Sequence, residues 1–497
     1  MKLKLIGHDY KYAVEQIMLS LFPDERPDYF SDNYIDPEEL VSESCIRFGS
    51  SFAQATTTIS FDGKVFRGFS RISINKLNGK LIRDRLLQKI IKQSFYRAAV
   101  KLIDTPPVWG SLTGIRPAHI AAKTIESGLG VAATRRYLAD EYYVSPKRAE
   151  ICTLAAQAAL ELKRNLLPND IALYIGIPFC PTRCTYCSFV SNSVGKTFGL
   201  IEPFAQLLIR EIDLAAAAVR KLDLRIVSVY IGGGTPSILP DDLLEKVLSA
   251  LHTKFDLSHV REYTFEAGRP DTITIEKLEI IRKFGADRIC INPQSMSDDV
   301  LAAIGRNHSH ADIISAAKLV RSSGAAMNMD IIAGLPADTL KGFERTIDSI
   351  VDFAPENITV HTLSLKKGSR VMLDGTAVPS GDDVGKMLDY AFDKLSRSGY
   401  IPYYLYRQKY TSGGFENIGW CLPGYEGIYN ICMMEELCTV LALGGGGVTK
   451  LVSAAGRIER IFNAKYPREY ILYEEKLPGK YNKFSNFHLT SNTLQEE

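Results

Sequence analysis

The stretch IALYIGIPFCPTRCTYCSF, at residues 171–189, joins an apolar run directly to three closely spaced cysteines. The run IALYIGIP (171–178) is rich in β-branched and aromatic residues, which favour strands, and it has the length of one buried strand. Cys180, Cys184 and Cys187 then fall within eight residues. The stretch therefore predicts a strand that presents three thiols on a short loop at its carboxyl end.

Five further apolar runs of the same kind follow, separated by stretches in which Leu and Ile recur at helical spacing. Six β/α units in a row predict a parallel sheet with right-handed crossovers. Because a closed barrel needs eight units, we predict an α/β fold with an open, partial (β/α)6 barrel, whose ligands bind at the carboxyl ends of the strands. The five runs are IVSVYIGGG (226–234), EYTFEAG (262–268), RICINPQS (288–295), AMNMDIIAG (326–334) and NITVHTLS (357–364).

The regions on either side of the barrel have different patterns. Residues 1–165 combine strand-like and helical runs, and Asp62-Gly63 separates two β-rich stretches, so we predict an N-terminal α+β and helical domain that contains a hairpin. Residues 166–400 would hold the barrel. Residues 401–497, where the periodicity weakens, would form a C-terminal α/β extension.

The composition is that of a globular protein with two or three domains. The 497 residues include 59 basic and 57 acidic side chains, a formal charge of +2, which gives no reason to expect nucleic acid or a membrane surface as a partner. No apolar stretch suits a signal peptide or a membrane span, so we expect a cytoplasmic protein. Nine cysteines, an odd number, indicate metal chemistry in a reducing compartment and not a disulfide framework.

The three clustered cysteines have the chemistry of an iron–sulfur ligand set. Soft sulfur ligands suit iron, and Cys180, Cys184 and Cys187 can each bind one iron of a [4Fe–4S] cube. Because no fourth cysteine lies nearby, one iron stays open for a non-protein ligand. A structural zinc site is the alternative, but it normally needs four ligands, and none of the eight histidines lies in this loop.

Glycine and polar residues end the other predicted strands at the same edge. The glycines of GGGTPS (232–237) let backbone approach a ligand closely, although such a sequence alone is usually a turn. A buried polar residue in an apolar run is costly if unpaired, so it either bonds to neighbouring loops or lines a pocket. Arg306, near the end of a helix, could pair with a carboxylate or lie at the surface. The polar residues at the strand ends are Glu266, Gln294 and Asp330.

Five motifs, taken in order and with their separations, resemble a known family. They are similar to motifs of the oxygen-independent coproporphyrinogen III oxidase (dehydrogenase) family of radical S-adenosylmethionine enzymes, and most closely to its HemZ-type branch. The resemblance runs from about 170 to 450, and an N-terminal extension with TGIRP (113–117) also fits that branch. The five motifs are YIGIPFC, GGGTPS, FEAGRPD, INPQSMSDDVLAAIGR and NMDIIAGLP.

The resemblance implies two cofactors, a [4Fe–4S] cluster on the three cysteines and S-adenosyl-L-methionine on the open iron. One electron from the cluster would break the sulfur–C5′ bond and give methionine and a 5′-deoxyadenosyl radical. A family tyrosine that matches Tyr174 supports the cluster region. The matching cofactor contacts are Gly232, Gly233, Gly234 and Thr235 for the methionine amino group, and Glu266, Gln294, Arg306 and Asp330 for the carboxylate or ribose.

The implied reaction, in haem biosynthesis, is oxidative decarboxylation of two propionates of coproporphyrinogen III to the vinyl groups of protoporphyrinogen IX. Such a tetrapyrrole carries four carboxylates, so basic residues are expected at the barrel mouth, which residues 401–497 would cover. An electron donor such as flavodoxin or ferredoxin would serve the cluster. The basic candidates are Arg183, Lys366, Lys367 and Arg407.

Two positions depart from the family pattern. Phe189 stands where decarboxylating members have a further cysteine and haem-handling, chaperone-like members have phenylalanine. Gly176 replaces a histidine of the family motif. Two other hypotheses therefore stay open: a haem-binding or haem-trafficking protein without decarboxylase activity, and a radical enzyme with another substrate.

The remaining histidines and cysteines give weaker signals. His308 and His310 lie two residues apart on a predicted loop and could bind metal, but residues with this spacing are more often at the surface, where we expect them. His361 either faces the barrel lumen or packs in the core. We expect buried, inert thiols at the other six cysteines, which are Cys45, Cys152, Cys290, Cys421, Cys432 and Cys438.

Overall fold

The computed structural model describes residues 1–30, 38–187, 192–366, 368–408 and 411–493. The chain forms two compact units, Met1–Thr153 and Leu154–Glu497.

The first unit is a mixed sheet with helices. Its described strands are β1 (Lys2–Ile6), β2 (Asp28–Tyr29), β3 (Val41–Phe48), β4 (Phe52–Phe61) and β5 (Lys64–Ser73), in the sheet order β2-β1-β3-β4-β5. Its helices are α1 (Lys11–Leu21), α2 (Lys80–Ala99), α3 (Pro117–Glu126), α4 (Val131–Tyr142) and the start of α5 (Pro146–Arg164), which ends in the second unit.

The predicted hairpin at Asp62-Gly63 is confirmed. Strands β4 and β5 pair antiparallel, with Phe61 opposite Lys64. Asp62 and Gly63 have φ values of 51° and 69°, as a two-residue hairpin turn with positive φ at both positions requires.

The second unit contains thirteen strands among the described residues. They are β6 (Asp170–Ile177), β7 (Phe179–Cys180), β8 (Asn192–Ser193), β9 (Arg225–Gly233), β10 (Glu262–Gly268), β11 (Arg288–Gln294), β12 (Ala326–Ala333), β13 (Asn357–Thr362), β14 (Ile401–Arg407), β15 (Glu416–Cys421), β16 (Thr439–Gly444), β17 (Val448–Val452) and β18 (Ile458–Phe462).

The helices of this unit lie mainly between the strands. They are α6 (Val194–Thr197), α7 (Ile201–Lys221), α8 (Asp241–Lys254), α9 (Ile275–Lys283), α10 (Asp298–Ala303), α11 (His310–Ser322), α12 (Leu340–Asp352), α13 (Arg370–Leu373), α14 (Gly381–Arg397), α15 (Ile428–Glu435), α16 (Pro467–Ile471) and α17 (Leu477–Thr493).

The six strands predicted from the apolar runs lie side by side and parallel. The described order of the large sheet is β14-β15-β13-β12-β11-β10-β9-β6-β16-β17-β18. The predicted α/β class with a parallel sheet is confirmed, and β14 and β18 form two separate edges of this open array. One strand of the parallel part was not predicted: β16 pairs parallel with β6. Its sequence, TVLALG, is buried along its whole length.

Burial on both faces explains why these strands have continuous apolar sequences. Leu173 of β6, Val229 of β9 and Phe265 of β10 are all buried. The covering helices present one apolar face, as in α7, where the four-residue spacing of Phe204 and Leu208 places both in the core. Among the described residues, no helix is long and apolar enough to cross a membrane.

Candidate functional site

A cavity of about 530 Å³ lies at the carboxyl ends of β6 and β9 to β12, which is a suitable volume for small-molecule ligands. All but one of the residues predicted to form the site line this cavity. Gly232 is not among the described residues that line the cavity. A Cβ on Gly232 would lie 2.4 Å from Glu266 Oε2, so this glycine packs against a side chain that does line it. The lining residues that had been predicted are Tyr174, Cys180, Cys184, Cys187, Gly233, Gly234, Thr235, Glu266, Gln294, Arg306 and Asp330.

The loop after β6 carries three half-buried thiols into the cavity wall. Thr235 Oγ1 lies 3.5 Å from Cys180 Sγ, and the Cys187 amide donates to the Cys184 carbonyl at 3.2 Å. Among the described residues, no three His, Cys, Asp or Glu side chains form a group that could hold a metal ion. A [4Fe–4S] cube makes a different demand from a single ion, because each cysteine binds a different iron.

The glycine motif places bare backbone beside this loop. The amides of Gly234 and Thr235 donate to the carbonyls of Ile177 and Phe179 at 2.9 and 2.7 Å. A Cβ on Gly234 would lie 2.5 Å from the Phe179 carbonyl oxygen, so only glycine allows this approach. The close contact fixes the motif against the strand that leads to Cys180.

Polar side chains from β10, β11 and β12 converge on the other wall. Asn292 Nδ2 donates to Glu266 Oε1 at 3.2 Å, and Asn328 Nδ2 donates to Asp330 Oδ1 at 2.8 Å. Gln294 has a φ of 69°, an unusual conformation for a residue with a side chain and one often associated with functional sites.

Four lining residues have buried polar atoms with no protein partner among the described residues: Arg288 Nε, Asn292 Oδ1, Gln294 Oε1 and Arg306 Nε. Buried polar atoms normally have partners, so this arrangement fits a polar ligand that supplies them. With three thiols, a bare glycine backbone and these open donors and acceptors, the residues fit an iron–sulfur cluster and a bound amino acid–nucleoside cofactor.

Arg306 links this wall to the cluster loop. Its guanidinium donates to the Asn292 carbonyl and, at 3.2 Å, to the Tyr186 hydroxyl. Burial lowers the pKa of Arg306, but Tyr186 and Cys184 outweigh burial and hold the pKa above its ordinary value. The side chain therefore stays cationic, as a partner for a carboxylate must.

The environment of the Glu266 carboxyl should make the free energy of unfolding depend on pH. Burial, followed by the nearby Asp330 charge, raises its pKa from 4.5 to about 7. A raised pKa favours the neutral acid in the folded chain, so this contribution to the free energy of unfolding is complete below pH 4.5 and disappears as pH rises to about 7. The loss is of the order of 3 kcal/mol.

Urea unfolding of the cofactor-free chain from pH 4.5 to 7 measures this loss, and Glu266→Gln should reduce the pH dependence by about the same amount. Glu279→Gln, on the exterior helix α9, is the matched control and should keep it. An equal slope in Glu266→Gln and in the unaltered chain would contradict the assignment.

Several lining residues were not identified from the sequence. Asn292 lies two residues before Gln294, and the two-residue repeat of a strand could have indicated it. Arg269 directly follows the carboxyl end of β10, where ligand-binding residues such as Glu266 were expected, and could have been predicted on the same ground. Tyr429, on α15, could not be predicted as a lining residue because it lies far along the sequence from the strands that form the cavity. Its ring stacks on that of Tyr230, with centroids 4.4 Å apart.

The structure decides or corrects the weaker predictions. His361 faces the cavity, with Nε2 3.7 Å from Asp330 Oδ2. The surface prediction was wrong for His308, whose side chain is fully buried 3.5 Å from Asp271 because it packs beneath the turn after β10. His310 is exposed as predicted. Cys45, predicted buried, is only half-buried, and the other five cysteines outside the cluster loop are buried.

The basic candidates are not all in the cavity. Lys366 lines it. Arg183 lies on the exposed side of the cluster loop, where Nη2 is 3.5 Å from the Gly368 carbonyl. Arg407 is absent from the described lining, and its guanidinium instead donates to the Gly414 carbonyl at 2.8 Å. Lys367 and Phe189 lie outside the described residues.

Comparisons with known proteins identify the family of the chain. A profile of the Radical SAM superfamily matches residues 174–350. The oxygen-independent coproporphyrinogen-III oxidase-like protein HemZ of Bacillus subtilis (strain 168) is 37% identical over 371 residues, 73% of this chain and 74% of the relative. The heme chaperone HemW of Haemophilus influenzae is 28% identical over 335 residues, 66% of this chain and 83% of the relative.

A solved structure extends the likeness to the fold. The coproporphyrinogen III oxidase HemN of Escherichia coli, described as a radical SAM enzyme, superposes with a TM-score of 0.50 at 18% identity, over 64% of this chain and 72% of that one. The parallel array with three thiols at its edge is thus the radical SAM fold. On the strength of the HemZ identity, this chain belongs to the HemZ-like oxygen-independent coproporphyrinogen III oxidase family of radical S-adenosylmethionine enzymes.

Proposed function

We propose that the chain carries out oxygen-independent oxidative decarboxylation of coproporphyrinogen III to protoporphyrinogen IX. The observation that carries the proposal is the shared cavity, which is lined both by the three thiols of the loop after β6 and by the open polar atoms of β11 and its neighbours. Membership of the HemZ-like family supports the choice of substrate. A cluster of this type also suits a reducing compartment, and we place the protein in the cytoplasm.

The chain's own residues would bind both cofactors. Cys180, Cys184 and Cys187 would hold the [4Fe–4S] cluster, and Tyr174 would pack beneath it. Around S-adenosyl-L-methionine, backbone and acidic groups would take the amino group and ribose, while the Arg306 cation would pair with the carboxylate. The remaining proposed contacts are Gly232, Gly233, Gly234, Thr235, Glu266, Gln294 and Asp330.

The bound cofactors would supply the one-electron chemistry that removes a hydrogen atom from the propionate β-carbon. Each propionate would then lose carbon dioxide and pass one further electron to an external one-electron acceptor, and so become a vinyl group. The protein contributes position and exclusion of water. Residues 401–497 would cover the substrate, since Asn417, Tyr429, Met433 and Gly446 already line the cavity. A flavodoxin or ferredoxin would reduce the cluster.

Basic residues at the rim suit a substrate with four carboxylates. Lys366 lines the cavity, and the segment after it is held to the cluster loop by the Val371 amide, which donates to the Thr185 carbonyl at 3.1 Å. Arg183 reaches the same segment at Gly368. This side of the rim therefore carries two cations beside the cluster loop, where a propionate must approach.

Lys366→Ala should raise KM for coproporphyrinogen III about fivefold, because a half-exposed charge-assisted hydrogen bond contributes about 1 kcal/mol. It should leave the affinity for S-adenosyl-L-methionine unchanged. Lys254→Ala, at the far end of α8, removes the same charge away from the rim and is the matched control. Equal KM values in both variants would exclude Lys366 as a propionate contact.

A second candidate function is haem binding or trafficking without decarboxylation. The similarity to HemW heme chaperones favours it, as does Phe189 at the position of the extra family cysteine. A third candidate is a radical enzyme with another substrate. It would use the same cofactor site, but the basic residues at the rim would not then serve to bind propionates.

Anaerobic reconstitution with iron and sulfide separates these functions. The reduced protein is incubated with S-adenosyl-L-methionine and coproporphyrinogen III, and the porphyrins are resolved after oxidation. We expect 5′-deoxyadenosine together with protoporphyrin. Cofactor cleavage without protoporphyrin, combined with stoichiometric haem binding, would assign the chaperone function, and cleavage with neither would point to another substrate.

A further inference from the structure

A second buried guanidinium lies against the cluster loop. Arg269 follows Gly268, whose φ of +73° turns the chain where the register between β10 and β11 shifts. The Arg269 side chain is only 3% exposed. A buried cation needs partners, and those of Arg269 belong to the cluster loop and to its own turn.

The contacts of Arg269 fix its direction. Nη1 donates to Thr182 Oγ1 at 3.0 Å and lies 3.8 Å from Cys184 Sγ. Nε and Nη2 donate to the two carboxylate oxygens of Asp271 at 3.1 and 3.4 Å. This two-point ion pair holds the planar guanidinium so that its third edge faces the sulfur.

The two arginines near Cys184, Arg306 and Arg269, differ in whether a guanidinium nitrogen is left without a hydrogen-bond partner. Arg306 keeps a buried Nε without a partner in the described part of the chain. Arg269, by contrast, directs Nε, Nη1 and Nη2 to Asp271, Thr182 and Cys184. Arg306 also interacts with Cys184, but its open Nε suits it to a ligand in the cavity, whereas the three nitrogens of Arg269 are all taken by Asp271, Thr182 and the sulfur.

We propose that Arg269 raises the reduction potential of the cluster through Cys184, and that Asp271 limits the effect. The inference rests on the proposed cluster ligands and goes beyond the proposed reaction. Reduction adds one electron from the external donor and hence one negative charge to the cluster and its thiolates. A buried cation and an N–H near one thiolate stabilise that added charge, and the Asp271 carboxylate partly offsets the cation.

Redox titration monitored by electron paramagnetic resonance, without S-adenosyl-L-methionine or substrate, tests the inference on the reconstituted chain. Arg269→Gln should shift the reduced-to-oxidised ratio at a fixed potential about tenfold toward the oxidised form, a midpoint lower by about 59 mV for a one-electron couple. Asp271→Asn keeps the guanidinium and should shift the midpoint upward. Arg282→Gln, whose guanidinium donates to the Ala286 carbonyl at the end of α9, is the matched control and should not shift it.

If Arg269→Gln assembles its cluster poorly, the upward shift in Asp271→Asn still tests the inference, because that variant retains the cation. Unchanged midpoints in both variants, or shifts in the same direction, would overturn this inference alone. Absence of a cluster in the unaltered chain would overturn the proposed function together with it.

Discussion

Cys184→Ala should abolish the iron–sulfur cluster and the cleavage of S-adenosyl-L-methionine. In the proposed site three cysteines are the whole protein ligand set, so the loss of one would leave two of the irons without a protein ligand. Changes outside the ligand sphere alone cost 10- to 100-fold at metal sites, so we expect 5′-deoxyadenosine formation to fall by more than about 100-fold. Iron and sulfide content after anaerobic reconstitution, together with the absorbance of the cluster, measures the first effect.

Cys45→Ala is the matched control for this experiment. Cys45 is half-buried, as the cluster cysteines are, but it lies in β3 of the first unit. It should reconstitute about four irons per chain, as the unaltered protein does. A Cys184→Ala protein with the same iron content and a bound S-adenosyl-L-methionine would remove the basis of the proposed site.

Gly234→Ala should weaken the binding of S-adenosyl-L-methionine about 100-fold. The new Cβ would lie 2.5 Å from the Phe179 carbonyl and 2.9 Å from the Ile177 carbonyl, both of them backbone atoms. The motif must therefore move away from the strand that leads to Cys180. Overpacking of this kind costs about 3 kcal/mol, which corresponds to a factor of about 100 if it falls on the bound state.

The change that S-adenosyl-L-methionine produces in the spectrum of the reduced cluster gives the affinity of the Gly234→Ala protein. Gly199→Ala is the control, because nothing lies within 4 Å of a Cβ at that position. Iron content and the thermal unfolding temperature show whether the variant still folds. Normal affinity in a folded Gly234→Ala protein would mean that the glycine motif does not contact the cofactor.

The strand array and most of the cavity could be predicted from the sequence for one physical reason. Strands buried on both faces must be apolar along their length, so a polar residue such as Glu266 or Gln294 stands out where the strand ends. Parallel strands bring those ends to one edge. Residues that end successive strands in the sequence therefore line one cavity, and β6 and β9 to β12 each contribute a predicted residue to it.

The features that were missed depend on contacts between distant segments. Strand β16 pairs with β6 across more than half of the second unit, and the glycines that follow it obscured its short apolar run. His308 is buried because Asp271, on another β/α unit, lies over it. The interaction of Arg269 with Cys184 likewise joins two loops that the sequence separates by 85 residues.

The most direct test of the proposed reaction follows the hydrogen that it removes. Coproporphyrinogen III labelled with deuterium at the propionate β-carbons is incubated anaerobically with the reconstituted, reduced protein and S-adenosyl-L-methionine. Mass spectrometry of the nucleoside product should show deuterium in 5′-deoxyadenosine, with protoporphyrinogen formed in parallel. Unlabelled 5′-deoxyadenosine with no protoporphyrinogen would contradict the account and leave a radical S-adenosylmethionine protein of another function.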